Sequence, residues 1–260
     1  MTLLVLLVAL LGLAVGSFLN VVVWRVPRGE SVVSPPSACP RCGHRIRARD
    51  NVPVLGWLLL RGRCRDCGEP IAVRYPLVEA ATGAAFGLVA WWAGVSWTLP
   101  ALLYLAAITV ALALIDLDTR RLPDAIVLPS YGVGLALLAL AAWNPGGETH
   151  GDALVRALVG CVALFGVYFL LLVLYPAGMG FGDVKLAGVL GLYLGWAGWA
   201  SLVVGWFAAF LLGGLFAVGL LLTRRAGRRT GVPFGPWMLA GAWLGLLGGD
   251  AVWDWYRTLL

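Results

Sequence analysis

The chain has 260 residues, of which 61% are hydrophobic and 12% charged, with a mean hydropathy of +0.89, 35 Gly and 13 Trp. That composition excludes a soluble globular domain and describes an all-α polytopic membrane protein. The net charge of +6 does not point to nucleic acid, because the arginines fall in short loops between apolar runs. This is the pattern of the positive-inside rule, with anionic lipid headgroups as the expected counter-charge.

Residues 2–24 carry no charge and are long enough to cross about 30 Å of hydrocarbon. The stretch lacks a basic start and a small-x-small cleavage site, so a retained membrane helix is expected rather than a signal peptide. Arg25 and Arg28 stop it. Residues 25–75 form the only sizeable polar segment, with ten arginines, four acids and prolines at 27, 35, 36, 40 and 53. It holds too little apolar sequence for a core of its own.

Within that segment stand Cys39-Pro-Arg-Cys42 and Cys64-Arg-Asp-Cys67, separated by 21 residues. Two Cys-x-x-Cys knuckles at this spacing match a tetrahedral four-cysteine zinc site. Gly43 and Gly68 follow the knuckles and suit tight turns that aim backbone N–H groups at thiolate sulfur. Two disulfides or a redox pair are the alternatives. The arginines place the segment in the cytoplasm, where structural disulfides are rare, so zinc is the expected reading. His44 reads as a surface residue and Cys161 as a small core residue in an apolar helix.

Seven further helices are expected, making about eight crossings in all. They span residues 76–95, 99–115, 125–143, 153–175, 186–195, 199–222 and 232–249. The boundary between the sixth and seventh is marked only by Gly195, Gly198 and flanking tryptophans. An amphipathic tail, residues 250–260, presents Trp253, Trp255 and Tyr256 to the interface. With the cysteine segment in the cytoplasm, both termini lie outside. Of 19 Lys and Arg, all but Arg156 and Arg257 then fall on the cytoplasmic side. The organisation expected is a first membrane helix (1–24), a cytoplasmic zinc-binding domain (25–75) and a membrane domain (76–260).

Two carboxylates stand out. Asp116 ends the third expected helix. Asp183 opens the sixth, within Gly178-Met-Gly180-Phe-Gly182-Asp183-Val-Lys185. Two crossings separate them, so the topology sets both at the cytoplasmic face. A charge at a membrane boundary is costly and marks a functional candidate. The bland alternative makes Asp183 the cap of a helix starting at Val184. Two carboxylates close together in a half-dry site share a proton, which is the chemistry of aspartic peptidases. Gly180 and Gly182 free the backbone for φ > 0 and for close approach of another chain. Lys185 either neutralises Asp183 or snorkels to the interface. Asp118 reads as solvated beside Arg120 and Arg121, and Asp124 as the N-cap of the fourth helix.

At this point the chain resembles the bacterial prepilin peptidases, membrane aspartic peptidases with a Gly-x-Gly-Asp motif. The likeness runs through Gly16-Ser-Phe-Leu-Asn20, Val22-Val-Trp-Arg25, the two knuckles around Asp50-Asn51-Val-Pro53, and Arg74-Tyr-Pro-Leu-Val-Glu79. It continues through Ile115-Asp116, Leu122-Pro123-Asp124, Gly180-Phe-Gly182-Asp183-Val-Lys185 and Pro233-Phe-Gly-Pro236. The resemblance implies that Asp116 and Asp183 are a catalytic pair, with Gly180, Gly182 and Lys185 in the active-site loop. It implies cleavage of the basic leader from type IV prepilins or type II secretion pseudopilins after a glycine at the cytoplasmic surface of the bacterial inner membrane. It also implies N-methylation of the new terminus with S-adenosylmethionine, for which no glycine-rich strand–helix motif is visible.

Three alternatives stand beside this reading. One is a peptidase without methyltransferase activity. A second is a non-enzymatic scaffold whose zinc module docks an ATPase of a pilus or secretion machine. The third is a transporter. A transporter would place its carboxylates near the bilayer midplane and show repeat symmetry.

Overall fold

A computed structural model describes residues 1–176, 178–223 and 233–259. Among these residues there is no β-strand. Extended pairing is limited to two isolated antiparallel bridges, Ala38 with Arg45 and Arg63 with Pro70. The all-helical expectation is met by eight long helices and one short one. The basic loop with Arg224, Arg225, Arg228 and Arg229 lies outside the described residues. The chain divides into two units, Met1–Ala111 and Leu112–Leu260.

The first unit contains α1 (Thr2–Arg25), the short α2 (Leu55–Leu59), α3 (Arg74–Ala93) and the first half of α4 (Leu99–Thr119). Helices α1 and α3 run antiparallel along a seam of glycines. A Cβ at Gly12 would meet Gly83 Cα at 2.9 Å, and one at Gly16 would meet Glu79 Cα at 2.8 Å. In lipid, apolar side chains gain little by leaving the tails. Association therefore rests on close backbone packing, which small residues four apart permit.

The second unit holds the end of α4, then α5 (Asp124–Trp143), α6 (Gly151–Leu174), α7 (Phe181–Ala197), α8 (Trp199–Leu222) and α9 (Gly235–Arg257). Helix α7 is its centre. Every residue from 186 to 195 is buried, and the helix packs against α5, α6, α8 and α9. A helix buried all round needs no polar face, which is why its sequence shows no amphipathic stripe. Against α6, Gly191 and Gly195 let the backbones of Gly160 and Arg156 approach. Between α8 and α9, Gly205 faces Gly241 and Gly245.

Five described helices are long and apolar enough to cross a membrane: α1 extended to Arg28, α4, α5, α6 and α8. Several local expectations are corrected. Helix α4 continues through Asp116 to Thr119, so that carboxylate sits a turn inside the helix end. Helix α5 starts at Asp124 with Pro123 at its N-cap position and no side-chain cap. Its Asp124 carboxylate pairs with Lys185 instead. Helix α7 begins at Phe181 and reaches Ala197, with the single extended residue Gly198 dividing it from α8. Helix α9 runs unbroken past Asp250 to Arg257, because nothing at the Gly249–Asp250 step interrupts its backbone ladder.

Candidate active site and metal centre

The end of α4 turns sharply. Arg120 adopts φ +53° and its N–H donates to the Asp116 carbonyl at 2.8 Å, closing the helix with a left-handed residue. The turn brings Leu122 between two helix starts. A Cβ on Gly182, in the first turn of α7, would lie 3.1 Å from Leu122 Cβ. A Cβ on Gly235, the first residue of α9, would lie 3.3 Å from Leu122 Cδ2 and 2.8 Å from Asp116 Oδ2. One side chain thus gathers the ends of three helices.

The two aspartates come together around this contact. Asp116 is 5% exposed, and its Oδ2 accepts a 3.0 Å hydrogen bond from the Gly235 N–H. The half-buried Asp183 accepts from the Gly180 N–H through Oδ2 at 3.0 Å, while the Asp183 N–H donates to the Gly180 carbonyl at 3.1 Å. Leu122 stands against both helix starts, so the two carboxylates are anchored on either side of one contact. Asp183 is therefore not the N-cap of a helix starting at Val184 but the third residue of α7, its carboxylate reaching back to the N–H of the N-cap residue Gly180. This reciprocal contact and the functional reading are compatible. Each carboxylate has one oxygen held by a backbone N–H at a helix start, which fixes its orientation without a cation.

The neighbouring residues sort as follows. Gly180 is extended at φ −86°, and Gly182 lies inside α7, so neither uses positive φ. Gly182 is needed for the approach of Leu122. A Cβ on Gly180 meets nothing closer than Asp183 Oδ2 at 3.5 Å. Lys185 turns from Asp183 to Asp124, with its ammonium 5.1 Å from the Phe181 ring centroid. Its carbonyl accepts from the Tyr131 hydroxyl at 2.6 Å. Asp118 is exposed. The sequence reading missed Gly235 as a carboxylate donor, although it lies in the Pro233-Phe-Gly-Pro236 motif. It also missed Tyr168 of α6, which is buried and in ring contact with Phe234, the residue before Gly235.

The four knuckle cysteines form a second centre. Their sulfurs all lie within 4.8 Å of one another, and Cys39 and Cys67 are 3.7 Å apart. Four sulfurs about 2.3 Å from a shared ion would stand roughly 3.8 Å from each other, so the cluster can hold a metal ion. The two halves have the same backbone. Gly43 and Gly68 adopt φ +72° and +74°, and their N–H groups donate to the Cys39 and Cys64 carbonyls at 2.9 Å each. The N–H groups of Cys42 and Arg41 point at the Cys39 sulfur and draw its thiol down to about 7. The second knuckle is tied to the rest of the module by its own middle residues: Arg65 forks onto Asp50, and Asp66 pairs with Arg47. Asp50 is held below the usual carboxylate range by that Arg65 hydrogen bond. His44 is exposed, as expected.

The model of the bacterial peptidase A24 N-terminal domain matches residues 10–93, and that of the type IV leader peptidase family matches residues 102–218. The chain is similar to a prepilin leader peptidase/N-methyltransferase of Pseudomonas putida, at 41% identity over 95% of this chain and 91% of that protein. It is 38% identical to the Aeromonas hydrophila protein of the same name, over 97% and 93% of the two chains. The Neisseria gonorrhoeae relative is 37% identical over 97% and 94%. No solved structure matches.

Proposed function

The chain belongs to the type IV leader peptidase family, and on that premise we propose that Asp116 and Asp183 hydrolyse the leader peptide bond of prepilins or pseudopilins. The observation that carries the assignment is the pair of carboxylates gathered at one contact around Leu122, each oriented by a backbone N–H at a helix start. With one proton shared between them, the ionised carboxylate takes a proton from water as the oxygen attacks the scissile carbonyl carbon. The protonated partner donates to the carbonyl oxygen. Collapse of the tetrahedral intermediate transfers a proton to the departing amine and breaks the C–N bond.

The relatives' shared name also carries N-methyltransferase. The protein is accordingly read as methylating the new N-terminus, with S-adenosylmethionine as methyl donor. Cys39, Cys42, Cys64 and Cys67 would hold zinc as a closed, structural site. The setting is the bacterial inner membrane. Both termini face outward, and the cysteine module (25–75) and the active site of the membrane domain (76–260) face the cytoplasm. The arginine distribution supports that orientation. Gly180, at the N-cap of α7, and Gly182 and Lys185, in its first two turns, belong to the active site.

Asp116→Asn and Asp183→Asn are each expected to abolish cleavage of a prepilin leader peptide by purified, folded protein, read by mass spectrometry of the products. Wild-type cleavage by either variant would overturn the assignment. The wild-type rate should fall at both pH limits, where the pair is fully protonated or fully ionised. Incubation with and without S-adenosylmethionine should add one methyl group to the cleaved product only when the donor is present.

A further inference from the structure

We propose that α2 is an interfacial anchor whose leucine face, Leu55, Leu58 and Leu59, docks into the lipid bilayer beside α1 and α3. These residues stand at i, i+3 and i+4 and so share one face of the helix. They are 57%, 55% and 79% exposed. The opposite side is used up by the module itself. Gly56 is buried against the Asp50 carbonyl, and the Trp57 indole N–H donates to the Ile71 carbonyl at 3.0 Å. No folded part of the first unit covers the leucines.

The height of α2 on its neighbours identifies the occupant. Glu79 Oε2 accepts from the Val54 N–H at 2.7 Å, immediately before α2. In the antiparallel seam, Glu79 lies beside Gly16 of α1. The first charge of α1, Arg25, lies nine residues beyond Gly16, which is about two and a half turns. The start of α2 is thus held at a level where its neighbour is still wholly uncharged. A solvent-facing loop would attach beyond Arg25, outside the apolar zone. Val54 accepts φ +61° to make this attachment, an uncommon conformation for a β-branched residue. Exposed Arg61 and Arg63 follow the helix at once and suit lipid phosphates. An apolar face with flanking arginines, tied to the side of a membrane helix, fits the acyl–headgroup boundary.

The test places the photoreactive residue benzoylphenylalanine at Leu59 in the full chain, reconstituted in nanodiscs of phosphatidylethanolamine and phosphatidylglycerol. Leu10 on α1, 60% exposed, serves as the lipid-facing reference. Lipid adducts at position 59 should form with a yield of the same order as at position 10. A yield lower by roughly tenfold or more would overturn the proposal, as would transfer of the adducts from lipid to an added prepilin. Metal content of each labelled protein establishes that the module is folded, and Leu58 provides a second labelling site if the first variant fails to fold.

Discussion

Lys185 stands two residues after Asp183, yet its ammonium is paired with Asp124 at the start of α5. The pair ties the second turn of α7 to the first residue of α5, just after the Leu122 loop. Asp124 is largely exposed, so the bond contributes at most about 1 kcal/mol to stability. Its effect on position is larger, since small displacements of a reacting group cost rate steeply. Lys185→Met is therefore expected to change thermal stability little while lowering cleavage about tenfold or more. Exchanging the two residues, Asp124→Lys with Lys185→Asp, should recover part of the rate. Equal activity in wild type and Lys185→Met would remove the pair from the site. The glycines separate in the same way. Gly182→Val must push Leu122 aside and should sharply reduce cleavage. Gly180→Ala has room and should fold normally, so any loss it causes reports on substrate clearance. Asparagine at 182 is not expected to rescue, because the backbone there is helical.

At the scale of the helices, the glycines that matter most are those where two backbones meet. Gly191 of α7 sits against the carbonyl of Gly160, while Gly166 on α6 faces open space. Gly191→Val should lower stability by about 3 kcal/mol or more, because backbone rather than a flexible side chain must move. Gly166→Ala should be neutral or stabilising by up to about 1 kcal/mol. Thermal unfolding in detergent distinguishes them, and equal melting temperatures would contradict the seam. Arg156 belongs to the same helix pair. It donates to the Gly195 and Trp196 carbonyls at 2.8 and 3.0 Å. These are end carbonyls of α7 that no further turn can satisfy. That gives a local reason for an arginine at a position that the expected topology sets on the outer side.

For the molecule as a whole, the cysteine module has little core of its own, and its closure centres on four cysteines that could hold a metal ion. Few of its residues are buried, and it is closed by the two knuckles and by surface ion pairs. A four-cysteine zinc site can contribute about 10–16 kcal/mol of apparent binding free energy to folding. One zinc per chain is expected by metal analysis of protein purified without chelator. Its removal should open residues 26–73 to protease while the membrane helices persist. Two disulfides by mass, or no metal in a protease-resistant module, would count against this. Topology is checked separately. Reporter fusions after α9 should read as outside, and fusions within the cysteine module as cytoplasmic.

The four cysteines, the long apolar runs and the aspartate after Gly180 and Gly182 were legible in the sequence because each signal is local. Ligand spacing follows from one turn, and helix length from one run of apolar residues. The arginine distribution gives an expected orientation by the same kind of counting. Tertiary structure alone decided what the carboxylates touch. Gly235 reaches Asp116 across 119 positions and Lys185 finds Asp124 across 61, contacts that no periodicity announces. They depend on how closely glycine seams let the helices approach and on which way a side chain then turns. The same holds for Glu79 and Val54, where a buried carboxylate sets the height of a short helix whose leucines in the sequence looked like any others.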